Sequence, residues 1–480
     1  MPTSISSLAL LQVLCIFLLL LIPEASRALL QKTALIGSVI VFCYTLTFWF
    51  GLSPYETKFS YLWCPESFSG YSFCFGLDYV SYYLVLLTTF IFPFCFLMVD
   101  VSVQKNLKQY LLAFWSMEII LFFVFISLDF LLFYIFFEIS LIPMFLLIGR
   151  WGVNVRKTKA AYYLFLYTFF GSLFLLIALL YLLSQYGTLQ YHALLSTPLD
   201  IPTQKILWPA VFFAFAIKVP MFPLHIWLPE AHVEAPTGGS VVLAALFLKM
   251  GGYGMLRFLL PLFPDATSYF APVALTLALM GAVYASLTAL RQLDMKRIVA
   301  YSSVAHMNVG LVGLFSLTSE GAAGFYYVML GHGVVSSALF FIVGILYDRY
   351  HSRLYTYYSG VALRMPLYAM FFCFFTVANV AFPGTWNFVG ELLICFGLGR
   401  FSLFLLLVTG FSLFFSTVYS FWLYNRICFG TIRVSGQRFF YDLTYREFFV
   451  FLSLSLATVA GGLFPSVILE SLSLNLLAGF

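Results

Sequence analysis

The sequence predicts an all-α membrane protein that crosses the bilayer about fourteen times. Hydrophobic residues make up 62% of the 480 residues and charged residues only 9%, whereas an ordinary soluble domain is about 25% charged. Apolar runs of roughly 20 residues, long enough to cross a hydrocarbon core of about 30 Å, recur along the whole chain. We therefore expect a polytopic protein whose partners include membrane lipids and exclude nucleic acid.

The apolar runs set the order of the transmembrane elements. They lie near residues 7–23, 33–53, 79–99, 109–128, 129–149, 160–185, 206–229, 238–262, 270–290, 298–318, 322–347, 366–395, 401–425 and 447–470. No basic residue precedes Arg27, so the first run is interpreted as a membrane helix rather than a signal peptide. Asp129 interrupts continuous apolar sequence and is expected to form a tight turn between the fourth and fifth helices.

The charge distribution predicts the topology. With fourteen spans, the connections after odd-numbered helices share one side of the membrane and hold eighteen of the 24 Lys and Arg residues. The other side holds only Lys58, Lys205, Arg257 and Arg400, and Lys218 and Lys249 lie inside spans. Because Lys and Arg accumulate on the side from which a membrane protein inserts, both termini are predicted to face away from the basic side.

The stretch 211–240 begins as a span but cannot continue as an unbroken helix. It carries Lys218 deep in the apolar run, followed by Pro220, Pro223 and Pro229. Each proline removes a backbone donor and clashes with the preceding turn, which frees carbonyl groups that lipid tolerates only against protein or a wet cavity. An ammonium at that depth costs roughly 2.5–3.5 kcal/mol. We therefore interpret Lys218 as part of an ion pathway, with a structural lysine as the alternative.

A second span is interrupted in a similar way. Phe222 and Pro223 of the seventh span have a counterpart in Phe382 and Pro383 of the twelfth. Interrupted helices at corresponding positions of two halves are typical of transporters built from repeats. We therefore predict two five-helix units, formed by helices 4–8 and 9–13.

Two further ionisable residues lie in the middle of spans. Glu138, in FYIFFEISLIP, is surrounded by aromatic and aliphatic residues, and Lys218 is the obvious candidate for a nearby cation. Lys249, in LAALFLKMGGYG, is too far from either flank to reach the interface easily. A buried ammonium loses hydration and gives up its proton more readily, so Lys249 is predicted to pass protons.

Several imidazole and carboxyl groups extend this set. His306 and His332 lie within spans among hydroxyl side chains, and Ser336 follows His332 by one helical turn. An imidazole can carry a proton at neutral pH, so both histidines are predicted to belong to a hydrated proton wire, with satisfied core histidines as the alternative. His225, at the break in the seventh span, is a further candidate. Glu118 is also intramembrane, and its role is left open.

The cysteines give no sign of a redox centre. The eight cysteines contain no Cys-x-x-Cys pair and no Cys/His cluster with zinc or iron–sulfur spacing. The dinucleotide-binding pattern Gly-x-Gly-x-x-Gly is not found after a strand. We therefore expect no cofactor and no metal in this chain. Cys64 and Cys74 share one connection and are expected to be two free thiols, with a disulfide between them as the alternative.

Five segments carry a family resemblance. They are AIKVPMFPLHIWLPEAHVEAPTGGSVVLA, FYIFFEISLIPMFLLIGRWG, LRQLDMKRIVAYSSVAHMN, LGHGVVSSALFFIVGILYDR and ANVAFPGTWNFVGE. Through them the chain, from Asp78 to about Pro465, resembles the subunit 4 family of mitochondrial NADH:ubiquinone oxidoreductase, respiratory complex I. That family is one of the antiporter-like membrane subunits of the complex.

The resemblance implies a proton-translocating function that is coupled to NADH oxidation and ubiquinone reduction. It implies that Glu138 and Lys218 interact as a pair, that Lys249 is the central relay, and that Glu391 is the terminal carboxylate for proton exit. A carboxylate just emerging at the interface is the alternative for Glu391, because Arg400 follows closely. NADH, FMN, the iron–sulfur clusters and ubiquinone are implied to bind other subunits. The implied partners are other membrane-arm subunits, including neighbouring antiporter-like ones.

The resemblance also implies a location and an organisation. In the mitochondrial inner membrane the basic side would be the matrix, and both termini would face the intermembrane space. We expect helices 1–3 and an external loop in 1–108, the first repeat in 109–262, the second, inverted repeat in 263–425, and a basic inner loop with helix 14 in 426–480. The inner loop carries Arg433 and Arg438 and is interpreted as solvated, with a docking surface as the alternative.

Three other functions compete with this interpretation. Subunits of multisubunit cation/proton antiporters share the matches to Glu138, Lys218 and Lys249, but not the forms APTGGS and YSSVAHMN. A purely structural membrane subunit should not hold so many ionisable groups at bilayer depth. The homologous plastid NAD(P)H dehydrogenase-like complex uses plastoquinone. The chain ends soon after helix fourteen, which favours subunit 4 over subunit 5 with its long lateral helix.

Overall fold

The computed structural model describes residues 4–52, 59–64, 73–99, 106–152, 154–431 and 441–477, with the backbone alone for 472–477. Four basic residues that entered the topology prediction, Lys58, Lys105, Arg433 and Arg438, lie outside the described residues. The connections at 54–77 and 426–446 are therefore described only in part.

Helices dominate the described chain. They are α1 (Ile5–Leu21), α2 (Arg27–Thr47), α3 (Tyr79–Leu97), α4 (Leu107–Ile126), α5 (Phe130–Ile139), α6 (Leu141–Trp151), α7 (Lys157–Tyr186), α8 (Tyr191–Ser196), α9 (Ile201–Lys218), α10 (Trp227–Glu234), α11 (Thr237–Val242), α12 (Leu248–Gly254), α13 (Leu260–Leu262), α14 (Pro264–Ala289), α15 (Met295–Phe315), α16 (Ser319–Tyr350), α17 (Pro366–Asn379), α18 (Trp386–Phe401), α19 (Leu403–Cys428), α20 (Tyr445–Leu463) and α21 (Ser466–Leu477). Turns of π-helix at Leu243–Phe247 and Met255–Leu259 join α11, α12 and α13 into one continuous helix. Short 3₁₀ helices cover Phe48–Gly51, Tyr355–Tyr357 and Val361–Leu363, and β1 (Tyr61–Trp63) pairs with β2 (Phe75–Leu77) in an antiparallel hairpin.

The helices have the length and composition of membrane spans. Within the described ranges, eleven are long and apolar enough to cross a membrane, and α1 and α17 are apolar but shorter. Each predicted run overlaps one helix or two consecutive helices. Asp129 forms the predicted turn, because its carboxylate accepts hydrogen bonds from the backbone N–H groups of Leu131 and Leu132 and caps α5. The chain is thus a helical, multi-pass membrane protein.

The core is built around α16. This helix is buried along nearly its whole length and packs against α3, α11, α15, α17, α18 and α20. The outer helices α7 and α19 instead expose apolar side chains, among them Phe170, Ile177 and Phe404. Apolar side chains on the outside suit a lipid environment. Polar and titratable side chains are therefore concentrated in the interior.

Both interrupted spans are observed where the prolines predict them. The helix α9 ends at Lys218, and the chain resumes helical structure at Trp227, after Pro220 and Pro223. The helix α17 ends at Asn379, and α18 begins at Trp386. Each break frees backbone carbonyl groups inside the protein, where another part of the chain can satisfy them.

The expectation of free thiols at Cys64 and Cys74 is wrong, because the two residues form a disulfide bond. Cys64 directly follows β1 and Cys74 directly precedes β2, and the register pairs Trp63 with Phe75. Extending that register by one residue places the two cysteines opposite each other, with Cα atoms 4.3 Å apart. The strand signal of these short segments is too weak to predict the hairpin from sequence.

Asp78 and Arg257 tie the N-terminal helices to the rest of the chain. The carboxylate of Asp78 accepts the backbone N–H of Ser81 and caps α3, and its other oxygen lies 2.5 Å from Nη2 of Arg257. The topology prediction counted Arg257 among the basic residues in connections on the less basic side of the membrane. Its side chain is instead buried in a π turn, with its guanidinium against Tyr253 and Tyr191. The anionic partner makes that burial tolerable.

Candidate functional site

Lys218 lies at the break between α9 and α10. Its side chain is buried, and Nζ lies 4.3 Å from the ring centre of Phe137 and 5.0 Å from that of Phe247. Among the described residues Nζ has no hydrogen-bond partner. The backbone of α12 approaches closely, since a Cβ at Gly251 would lie 3.0 Å from Cβ of Lys218. The ammonium is thus held in an aromatic, protein-lined space.

Glu138 occupies the end of α5, beside this lysine. Its carboxylate interacts electrostatically with Lys218. No ion pair within 4 Å joins Glu138 and Lys218 in the described part of the chain, and Oε1 of Glu138 is without a hydrogen-bond partner. The two groups are therefore neighbours that influence each other's charge across a short gap.

Lys249 and His332 form a direct contact at the centre of the protein. Both side chains are buried, and Nζ of Lys249 lies 2.9 Å from Nδ1 of His332. Nζ also donates to the main-chain oxygen of Ala244 at 2.7 Å. Ala244 belongs to the π turn that precedes α12, and such turns frequently occur at functional sites.

His306 and Glu391 form a second direct contact. Nδ1 of His306, on α15, lies 3.1 Å from Oε1 of Glu391, on α18. Glu391 is buried, so it does not emerge at an interface within this chain. The rings of His306 and His332 have centres 6.1 Å apart, and Nε2 of each ring is without a hydrogen-bond partner among the described residues. The four side chains form a row from α12 to α18.

His225 stands apart from this row. It lies in the break after α9, where its ring contacts Phe222, Tyr284 and Tyr301 at centre distances of 5.8, 5.5 and 6.3 Å. Its Nδ1 has no hydrogen-bond partner in the described ranges. The structure therefore places His225 at the helix break without joining it directly to the other candidates.

Comparison with known proteins decides the family. Residues 127–417 match the family model described as NADH:quinone oxidoreductase/Mrp antiporter, TM. The chain is 45% identical over 472 residues to NADH-ubiquinone oxidoreductase chain 4 of Marchantia polymorpha, covering 98% of this chain and 95% of that protein. The chain belongs to the NADH-ubiquinone oxidoreductase chain 4 family. The chain 4 protein of Arabidopsis thaliana is likewise 45% identical, with 97% and 95% of the two chains covered.

Two solved structures share the fold of this chain. A chain of respiratory complex I from Thermus thermophilus superimposes with a TM-score of 0.88 at 30% identity, and the match covers 98% of each chain. A chain of an archaeal membrane-bound sulfane sulfur reductase gives a TM-score of 0.86 at 20% identity, with 98% and 97% covered. The second likeness concerns the fold alone.

This member of the chain 4 family holds one further buried histidine, His232, that the sequence analysis missed. Its ring stacks on Phe340 at 4.6 Å, and neither ring nitrogen has a hydrogen-bond partner among the described residues. It interacts electrostatically with both Lys249 and Lys296. Glutamates flank His232 closely in PEAHVE, which suggests a solvated loop. Its spacing of two helical turns from His225 was the available sign that it belongs with the buried histidines.

Glu118, whose role the sequence left open, lies away from the row. It is fully buried on α4, and both of its carboxylate oxygens are without hydrogen-bond partners among the described residues. The same is true of the amide of Gln12 and of Nε1 of Trp115. Glu118 interacts electrostatically with Cys15 and Cys95. Glu118 therefore belongs to a separate polar cluster between α1, α3 and α4.

Metal ligation is not supported by the part of the chain that the structure describes. Those residues contain no group of three or more His, Cys, Asp or Glu side chains that could hold a metal ion. What the row can do chemically is move protons, since each member accepts and releases one.

Proposed function

We propose that this chain is a proton-translocating membrane-arm subunit of complex I, which couples NADH oxidation and ubiquinone reduction to proton movement across the membrane. The observation that carries the proposal is the row Lys249, His332, His306 and Glu391, with contacts of 2.9 Å at one end and 3.1 Å at the other. Buried ionisable groups are costly in a membrane protein and mark ion pathways. Membership of the chain 4 family supports this function over a cation/proton antiporter or a plastid complex.

Each step along the row is a proton transfer between neighbours. The Lys249 ammonium releases a proton to Nδ1 of His332, and Nε2 of that ring releases its own proton toward His306. One water between the two unpartnered Nε2 atoms would bridge the gap. His306 then passes a proton from Nδ1 to the carboxylate of Glu391. The transfers leave each imidazole with its proton on the opposite nitrogen. The row is therefore reset only when both rings return to the first tautomer, Lys249 takes up a new proton and Glu391 releases the one it received.

His232 supplies the entry step in this proposal. Lys296 lies next to it on the basic side, with Nζ donating to the main-chain oxygen of Ala235 at 2.9 Å. A proton taken up near Lys296 reaches Lys249 through the imidazole of His232. Glu138 and Lys218 control the process electrostatically, because moving the proton of Lys218 changes the charge close to α12.

The finer architecture belongs to the same proposal. We propose fourteen spans in two inverted five-helix repeats, 109–262 and 263–425, preceded by 1–108 and followed by 426–480. The two interrupted spans, one with Lys218 and one with Glu391 just beyond its break, support that division. We place the basic side in the mitochondrial matrix and both termini in the intermembrane space.

The proposed partners are other membrane-arm subunits of complex I, including neighbouring antiporter-like subunits. NADH, FMN, the iron–sulfur clusters and ubiquinone would bind elsewhere in that assembly. Purification of the native membrane complex tests this assignment. We expect the chain to co-migrate with flavin and iron–sulfur subunits, whereas co-migration with small cation-transport subunits alone would favour an antiporter.

Replacing the central lysine tests the proton function. Lys249→Met removes the proton carrier but retains the apolar stem, so we expect turnover and vesicle acidification by the assembled complex to fall together by roughly a hundredfold. Lys32→Met, at an exposed position of α2, is the matched control and should leave both rates unchanged. An assembled Lys249→Met complex that acidified vesicles normally would refute the proposed relay.

A further inference from the structure

A small cavity lies between α15, α16, α17 and α19. The volume open to the centre of a water molecule is ≈ 20 Å³. On that measure, about 10–15 Å³ is enough to hold one water. Its polar lining comes from Ser302, Thr376, Asn379, Tyr419 and Ser420. The cavity is thus large enough and polar enough for a single ordered water.

Most of these polar groups offer hydrogen-bond acceptors. Ser302, Thr376 and Ser420 each donate their hydroxyl proton to a carbonyl of their own helix, at 2.7, 2.8 and 2.7 Å. Asn379 donates from Nδ2 to Oγ of Ser420 at 3.3 Å. The lone pairs that remain on the hydroxyl oxygens can accept hydrogen bonds from a water. The water's two hydrogens therefore have partners available.

The hydroxyl of Tyr419 can donate the hydrogen bond that a water in the cavity would accept. Its side chain is only 1% exposed, and its hydroxyl has no direct hydrogen-bond partner in the described part of the chain, although Ser302 and Asn379 are close by. A buried hydroxyl without a partner is unfavourable. A water that accepts from Tyr419 and donates to the hydroxyl oxygens around it would satisfy the whole cavity.

Two residues that line the cavity, Ser302 and Tyr419, connect it to the His306–Glu391 contact. Ser302 precedes His306 by one turn on the same face of α15. Tyr419 interacts electrostatically with Glu391, whose Oε1 is 3.1 Å from Nδ1 of His306. A water in the cavity would therefore be connected through Tyr419 to the carboxylate that takes part in the final step of the proposed relay.

We propose that this cavity binds one ordered water and that Tyr419 is a positioning residue, which through that water fixes the hydrogen bonding around His306 and Glu391. The inference rests on the proposed proton function. Tyr419 keeps its proton throughout and orients the water by donating to it. Without the hydroxyl the water loses its orientation, and the sharing of a proton between His306 and Glu391 changes. The other titratable groups that face the pair are His332 and Cys395.

The test compares assembled complexes that carry Tyr419→Phe or Thr376→Val with wild type. Each variant keeps the shape of the side chain and removes one hydroxyl from the cavity. We expect a well-resolved map of wild type to show one water there. We expect each variant to lower turnover by roughly three- to tenfold, the effect of one lost hydrogen bond, and to displace its pH profile. If Tyr419→Phe failed to assemble, the turnover and pH profile of Thr376→Val would test the proposed water site.

Tyr368→Phe is the matched control. Tyr368 is a fully buried tyrosine of α17 whose hydroxyl donates to the main-chain oxygen of Ile342 at 3.2 Å, outside the cavity lining. Its variant should keep the wild-type pH profile. An empty cavity, or wild-type profiles in both cavity variants, would overturn the inference.

Glu391→Gln separates this failure from a failure of the proposed function. If that variant stopped proton pumping while Tyr419→Phe and Thr376→Val behaved as wild type, only the positioning role would be lost. If Glu391→Gln pumped normally, the relay itself would be refuted.

Discussion

Nζ of Lys249 lies 2.9 Å from Nδ1 of His332, although 83 residues separate them in the chain. The contact joins the long helix that contains both π turns to α16, and both helices are buried along nearly their whole length. It therefore connects the two halves of the chain through two groups that exchange protons readily.

Substituting His332 should interrupt that connection. His332→Gln retains hydrogen-bonding capacity but cannot carry a proton from one side of the ring to the other, so we expect proton pumping to fall by roughly a hundredfold in assembled complex. Vesicle acidification measures the effect. His351→Gln, at an exposed position after α16, should pump as wild type. Equal pumping by both variants would show that His332 is a structural core residue.

Glu138 and Lys218 should depend on each other. Glu138→Gln removes the anion that stabilises the ammonium, and Lys218→Arg installs a guanidinium that keeps its proton. We expect each variant to assemble and to lose at least about tenfold in both NADH:ubiquinone turnover and acidification, because an interaction of a unit charge at short range is worth several kcal/mol. Lys32→Arg is the control for the second substitution. Unchanged rates in assembled Lys218→Arg complex would rule out a relay role for this lysine.

The proposed topology predicts which surface positions share a compartment. Val155, between α6 and α7, is 94% exposed and Leu363, before α17, is 73% exposed. Phe50, after α2, is 89% exposed. Cysteines placed at these positions should react with an impermeant thiol reagent, the first two from the matrix side and Phe50→Cys from the opposite side. Labelling of Val155→Cys and Leu363→Cys from different sides would mean that a span is miscounted.

The Asp78–Arg257 pair should stabilise the packing of α3 against the π-turn helix. Arg257→Leu leaves the buried carboxylate of Asp78 without its cation, which costs about 3–5 kcal/mol. The double variant Arg257→Leu, Asp78→Asn should recover much of that loss, because an amide still caps α3 without a charge. Thermal unfolding of the purified complex compares the variants. A double variant less stable than the single one would contradict this account.

Much of the fold follows from local sequence. Apolar runs, prolines and Asp129 predict helices, breaks and a turn, because each acts within a few residues of itself. Gly251 and Gly252 likewise indicate close packing, and side chains there would collide with Val219 and Met329. Fourteen spans and their inverted arrangement remain predictions.

The site was harder to predict, because it depends on which helices meet. The sequence identified Lys249, His332, His306 and Glu391 as buried ionisable residues, but not the two contacts that join them in pairs. His232 was missed because the glutamates around it resemble a solvated loop. The Cys64–Cys74 bond was predicted wrongly, because strand register is set by pairing rather than by composition.

Two π turns, Leu243–Phe247 and Met255–Leu259, bracket Lys249. A π turn holds one residue more than an α turn over about the same rotation of the helix. The turn at Leu243–Phe247 therefore absorbs an additional residue while Lys249 keeps its direction toward His332. Deleting one residue within Leu243–Phe247 should restore regular α-helix there without turning the lysine away from α16. This segment should tolerate the loss of one residue better than the regular turns of α11, where the same deletion would rotate the following residues by about 100°.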